Sequence, residues 1–340
     1  MKKIFIAAFM LVSSFGTNVM ADGHAIKMGI ILGFTGPIES LTPAMAASAE
    51  LAFKEASDSG SLLGGKKIEV VRADSTCVDS AAATAAAEGV ISQGVAAIMG
   101  ADCSGVTGAI ASNVAVPNGV VMVSPSATSP GLTTLDDKGF FFRTAPSDAR
   151  GGQILADVTK DRKVKSVAIT YTNNDYGKGL ADVYKAAAEA HGIKVTAVTA
   201  HEDGKADYSS EVATLASAGG DAVAVIGYLD QGGKGIIQGS LDSGAFDKFI
   251  LSDGMIGDSL TDAFGKDLNK SFGSMPGSMN KKTAGTFATV VNVPAVFLFI
   301  EPGIEPKDLF KSFPKASVNE SPIIPSDKMN LSNAPESKEP

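Results

Sequence analysis

Apolar positions along the chain come in short continuous runs, not in long alternations. Residues 26–32, 67–71, 96–99, 120–123 and 140–144 are such runs, as expected of strands buried on both faces. Ala-rich stretches with polar residues at helical spacing lie between them, from Pro43 to about residue 57 and from Asp79 to about residue 91. After Ala145-Pro146-Ser147-Asp148 a second series of the same kind begins. It predicts strands at 166–171, 194–199, 222–226 and 248–251, with helices at about 176–191, 208–217 and 231–241. Strands alternating with helices of this length imply parallel sheets covered on both sides. The expected class is α/β, with two doubly wound parallel-sheet lobes joined by a hinge. The lobes are assigned to residues 22–145 and 146–278.

In such sheets ligands bind beyond the carboxyl ends of the strands. Two loops at that edge of the first lobe carry suitable chemistry. Gly100-Ala101-Asp102-Cys103-Ser104-Gly105 leads from a strand into a helix, so Ser104 and the free N–H groups behind it can receive an anion. Ser124-Pro125-Ser126-Ala127-Thr128-Ser129-Pro130 repeats that chemistry after the next strand. In the second lobe the strands end in Asn173-Asn174-Asp175-Tyr176-Gly177, Gly227-Tyr228-Leu229-Asp230 and Ser252-Asp253-Gly254-Met255. Donors for a carboxylate on one side and an acid on the other suit a zwitterion, whose charges are costly to bury unpaired. Two such lobes facing each other imply a cleft that closes on its ligand.

Composition narrows the classes. The 340 residues carry a formal net charge of −8 and no tryptophan. A nucleic-acid partner is not expected, because nothing would neutralise phosphates, and a sugar-stacking cleft is disfavoured. Lys2-Lys3, an apolar stretch at 4–12 and Val19-Met20-Ala21 read as a secretory signal at 1–21, cleaved after Ala21. That stretch is too short to span a membrane. Export gives the two cysteines a meaning. Each of Cys77 and Cys103 follows a predicted strand, and a bridge closing that loop would stabilise by roughly 3–4 kcal/mol in the chain-entropy model. Two free buried thiols are the other reading. His24, His191 and His201 show no ligand spacing with the cysteines, so neither a metal nor a cofactor is expected.

Some motifs fail on their context. Gly60-Ser61-Leu62-Leu63-Gly64-Gly65-Lys66-Lys67 lacks the hydroxyl residue of a phosphate loop and precedes a strand. Gly257-Asp258-Ser259-Leu260 spells a hydrolase tetrapeptide, but no histidine follows His201 to act as base. The chain is expected not to be an enzyme.

Six of these pieces, in order and spacing, resemble the periplasmic solute-binding proteins of branched-chain amino acid ABC transporters. They are Gly33-Phe34-Thr35-Gly36-Pro37, Asp74-Ser75-Thr76-Cys77, residues 100–104, residues 124–130, Phe142-Arg143-Thr144 and Asn174-Asp175-Tyr176-Gly177-Lys178-Gly179. The resemblance covers residues 25–278 and implies the type I periplasmic-binding fold. It implies that Ser104, Ser126, Thr128 and the Ala127 backbone hold a ligand α-carboxylate. It makes Tyr176 and Tyr228 aromatic walls and Asp253 the partner of the α-ammonium. The family often has the longer Glu at that place, so Asp253 leaves a small gap or admits a water. The implied partners are a small amino acid and an inner-membrane ABC permease, and the expected receptor is a periplasmic monomer. An amide- or urea-binding protein, or a sensory ligand-binding domain of the same fold, is the alternative.

The resemblance stops near Ser278. Residues 279–340 hold an apolar run at 287–300 broken by Pro294, then a Pro-, Ser- and Lys-rich end. This tail is read as non-native family sequence, as a shifted reading frame or fusion would give; a divergent native tail is the other reading. The first lobe would then lack elements that cover its sheet, with reduced stability, and 296–300 would be an aggregation risk if exposed.

Overall fold

The computed structural model describes residues 25–276 and the backbone of 289–292. The first sheet holds β1 (Ile26–Leu32), β2 (Ile68–Asp74), β3 (Ala97–Gly100), β4 (Val121–Ser124) and β5 (Phe141–Arg143). Its order is β2-β1-β3-β4-β5, and every pairing is parallel. The connections are α1 (Thr42–Asp58), α2 (Ser80–Ile91) and α3 (Ser104–Ile110). The order turns back between β1 and β3, so the chain leaves those neighbouring strands in opposite directions. This reversal opens a crevice at the carboxyl edge. Gly100 at the end of β3 has φ +137°, and a Cβ there would stand 2.0 Å from the Ile31 carbonyl oxygen. Only glycine lets β3 run this close to β1.

The second lobe starts with α4 (Asp148–Asp161), whose N-cap Ser147 accepts from the Ala149 N–H at 3.2 Å. It continues through β6 (Ser166–Thr172), α5 (Asp175–Ala190), β7 (Lys194–His201), α6 (Ser209–Ala218), β8 (Ala222–Ile226), α7 (Lys234–Ser243), β9 (Phe249–Leu251), α8 (Asp258–Phe264), β10 (Phe272–Met275) and β11 (Thr289–Asn292). The sheet order is β11-β10-β9-β8-β6-β7. All its pairings are parallel except β10 with β11. Every residue of the central strand β8 is buried, which explains its unbroken apolar run.

The α/β class and the two parallel-sheet lobes match expectation. The last part of the second lobe differs from it. Neither α8 nor β10 was anticipated, and β11 falls within the stretch read as patternless. Residues 231–233, read as the start of a helix, lie in a π-turn over Leu229–Gly233 that precedes α7. The signal at 1–21 and the rest of the tail, including the 296–300 run, lie outside the described residues. In the first lobe Phe142 is 54% exposed while its neighbour Phe141 is buried on the opposite face.

Candidate functional site

Cys77 and Cys103 form a disulfide, as expected. It joins the loop after β2 to the residue that precedes α3. Beside it stands a residue whose role sequence reasoning missed. Asp102 is 3% exposed. Its carboxylate accepts from the Gly33 N–H at 2.7 Å, the Cys103 N–H at 2.9 Å and the Ser75 hydroxyl at 3.4 Å. One buried acid thus ties together the chain ends leaving β1, β2 and β3. Burial pushes its carboxyl up, and the backbone N–H groups oppose that.

These ties fix the first anion-receiving loop. No side chain caps α3, and Ser104 is its first residue. The Ser104 hydroxyl accepts from the Ser129 N–H at 3.1 Å and keeps its own proton to give. The Ser126 hydroxyl lines the cavity within reach of two acceptors, the Asp102 carbonyl at 3.2 Å and the Met45 sulfur at 3.9 Å. Ser124 donates to the Ala101 carbonyl and accepts from the Ala127 N–H at 3.0 Å. Arg143 braces the second loop by donating to the carbonyls of Ala127 at 3.2 Å and Ser129 at 2.9 Å.

The opposite wall is built by the second lobe. Asn174 caps α5, accepting from the N–H groups of Tyr176 and Gly177 at 3.1 and 3.0 Å. This cap places Tyr176 in the first turn, stacked on Tyr228 with ring centroids 5.1 Å apart and planes 15° apart. The Tyr176 hydroxyl donates to the Asp253 carboxylate and accepts from the Gly254 N–H at 3.2 Å. A Cβ on Gly254 would lie 2.6 Å from the Gly227 carbonyl, so glycine lets this turn pass beneath the tyrosines. Burial and the nearby Asp253 push the Tyr176 hydroxyl well above the ordinary tyrosine range. Burial also raises the Asp253 carboxyl, opposed by the Tyr176 hydrogen bond.

Between the lobes lies a cavity of about 470 Å³, within the usual size of small-ligand sites. It brings together Ser104, Ser126, Tyr176, Tyr228 and Asp253. It does not include the other two expected residues. Ala127 is fully buried, and its N–H and carbonyl are already bonded within the first lobe. Thr128 borders a much smaller adjoining cavity with Asp148 and Asp253. Among the described residues no group of three or more His, Cys, Asp or Glu could hold a metal ion.

The lobes also touch outside the cavity. Asp230 accepts from the Ser40 N–H and hydroxyl at 3.1 and 2.7 Å, and its own N–H donates to the Pro37 carbonyl at 2.9 Å. Lys234 pairs with Asp230 at 3.1 Å. Ser259, the serine of the tetrapeptide, donates to Asp230 at 3.1 Å and accepts from Lys234. Its hydroxyl belongs to this contact. On the other side the Ser129 hydroxyl donates to the Asp175 carbonyl at 3.0 Å.

Known proteins resemble this chain in sequence and fold. The model of the periplasmic binding protein family matches residues 25–288. "Leu/Ile/Val-binding protein homolog 3" of Brucella melitensis is 32% identical over 234 residues, 68% of this chain and 62% of its own length. The chain thus spans less than two thirds of that relative. "Leu/Ile/Val-binding protein BraC3" of Rhizobium johnstonii is 31% identical over 80% of this chain and 74% of its own. Among solved structures, the branched-chain amino acid transporter substrate binding protein LivJ of Streptococcus pneumoniae, in complex with isoleucine, aligns at TM-score 0.65 and 25% identity. That alignment covers 78% of this chain and 75% of LivJ. Two parallel-sheet lobes, a ligand-sized cavity between their carboxyl edges and these matches agree: the chain belongs to the periplasmic binding protein family.

Proposed function

We propose that this chain is an exported, non-catalytic receptor that captures a small amino acid, of the branched-chain type, and delivers it to an inner-membrane ABC permease. The reading is carried by one opposition across the cavity. Ser104, at the uncapped start of α3, can donate to an anion, while the half-buried Asp253 carboxylate, held by Tyr176, faces it from the other lobe. A zwitterion satisfies both ends at once, and it does so only when the lobes are together. The stacked Tyr176 and Tyr228, with Ile38, Leu41 and Ile256, give the space between an apolar lining for an aliphatic side chain. The names of the relatives support that ligand class.

The disulfide supports an oxidising compartment. Cleavage after Ala21, the monomeric state and the permease partner complete the reading. N-terminal sequencing of the exported protein checks the cleavage. Calorimetric titration with leucine, isoleucine, valine, acetamide and urea tests the ligand class: saturable binding of an amino acid supports it, and binding of an amide alone overturns it.

A further inference from the structure

Next to the main cavity lies a second one of about 20 Å³, enough for a single water-sized group. It shares Asp253 and Met275 with the main cavity, and Thr128, Asp148 and Ser274 close its other sides. Asp148 opens α4 at the crossover and is 5% exposed. Its Oδ2 and the Thr128 hydroxyl oxygen lack a partner in good hydrogen-bond geometry, and the Thr128 hydroxyl acts on the carboxylate only weakly against its burial. The two acids therefore meet a space that can hold one small cation or one water.

The surroundings leave that charge unmatched. Arg143, from β5, acts on Asp148 through space, but its guanidinium N–H groups bond to the carbonyls of Ala127 and Ser129 and to the Thr133 hydroxyl. Tyr176, from α5, donates to Asp253, and Tyr228 lies beyond it as a neutral hydroxyl. From the sheet side β10 contributes Phe272, Gly273, Ser274 and Met275, none of which titrates. A buried carboxylate and a half-buried one that line one space of this size do not both stay ionised without a cation. Burial, and then the charge of Asp253, holds the Asp148 carboxyl well above the ordinary range.

We propose that Asp148 and Asp253 act as one pair that selects a ligand with a cationic head group, sharing a proton while the site is empty and releasing it when the ligand's ammonium arrives. The inference rests on the amino acid reading above and adds a residue to it. The O–H bond of the protonated acid breaks, its electron pair stays on the carboxylate, and the proton passes to solvent. The ammonium N–H groups then donate to both acids. A neutral amide brings no charge to replace the proton. Asp148 is thus a ligand-contacting specificity residue, placed where the shorter Asp253 leaves a gap.

The test is calorimetry of L-leucine binding to the full chain in buffers of different ionisation enthalpy, which counts protons exchanged per ligand bound. A net release, growing as pH is lowered, is expected for the parent chain, with affinity falling in parallel. Asp148→Asn should abolish the release and bind leucine at least tenfold more weakly, while acetamide binding is unchanged or stronger. The count in the parent chain needs no variant, so a misfolded Asp148→Asn leaves the test intact. Leucine binding with no proton released at any pH overturns the proposal and leaves the amino acid reading standing. No leucine binding to the parent chain overturns the amino acid reading, and this proposal with it.

Discussion

Asp230 of the second lobe accepts both the N–H and the hydroxyl of Ser40, a residue 190 positions earlier in the first lobe. Lys234 and Ser259 hold the same carboxylate from behind, and the combined partners keep it below the ordinary carboxylate range despite its burial. The contact forms only when the lobes are together, so it adds directly to the closed state. A hydrogen bond to a charged group contributes about 1.5–3 kcal/mol, and Asp230 is only partly buried. Asp230→Ala should therefore weaken ligand affinity by about tenfold, near the lower figure. Small-angle scattering should show a wider ligand-free molecule. Unchanged affinity and unchanged scattering would contradict a role in closure.

Two groups of the second lobe, the buried His201 and the partly buried Asp203, have opposite pH dependences. His201 is 1% exposed, bonded to the Thr170 hydroxyl at 2.8 Å, and burial lowers it from 6.5 to about 4. Between those values the unfolded chain holds a proton that the folded one refuses, so this group's contribution falls as pH drops. Burial raises Asp203 from 3.8 to about 6. Here the folded protein keeps a proton that the unfolded chain has lost, so its contribution falls as pH rises through that window. At 1.36 kcal/mol per unit each effect is about 3 kcal/mol, and together they nearly cancel. Relative to the parent, His201→Gln should lose stability between pH 4 and 6 as pH rises, and Asp203→Asn should lose it as pH falls. Urea unfolding across that range checks both. Curves parallel to the parent's would rule the pair out.

The disulfide spans 26 positions and, with Asp102, anchors the loop that carries Ser104. A double change, Cys77→Ala with Cys103→Ala, should lower stability by roughly 3 kcal/mol in the chain-entropy model. Reducing agent should lower the melting midpoint of the parent chain and leave that of the double variant unmoved. Equal sensitivity of both to reductant would contradict this.

Local signals in the sequence covered most of the scaffold and about half of the site. The apolar runs that became β1, β6 and β8 were visible because strands buried on both faces need unbroken apolar sequence. Ser104 was legible through the strand-to-helix turn, whereas Tyr176 came from the family resemblance and its placement by the Asn174 cap shows only in the fold. In contrast, β10 is four residues containing Gly273 and Ser274, too short and too polar to stand out, and it exists because β9 offers it a parallel partner. Asp102, Asp148 and Asp230 look like ordinary loop or capping acids in sequence. Their roles come from partners far away along the chain, which no local pattern encodes. The same holds for Ala127: only the fold shows that Ser124 already takes its N–H.

A zwitterion held between Ser104 and Asp253 depends on the charge of Asp253. L-leucine titrated calorimetrically into the parent chain and into Asp253→Asn should give one-to-one saturable binding in the first and at least a hundredfold weaker binding in the second, as expected when an ammonium loses its buried charged partner. Saturable leucine binding of equal strength in both, or binding of acetamide with no amino acid bound, would contradict the account.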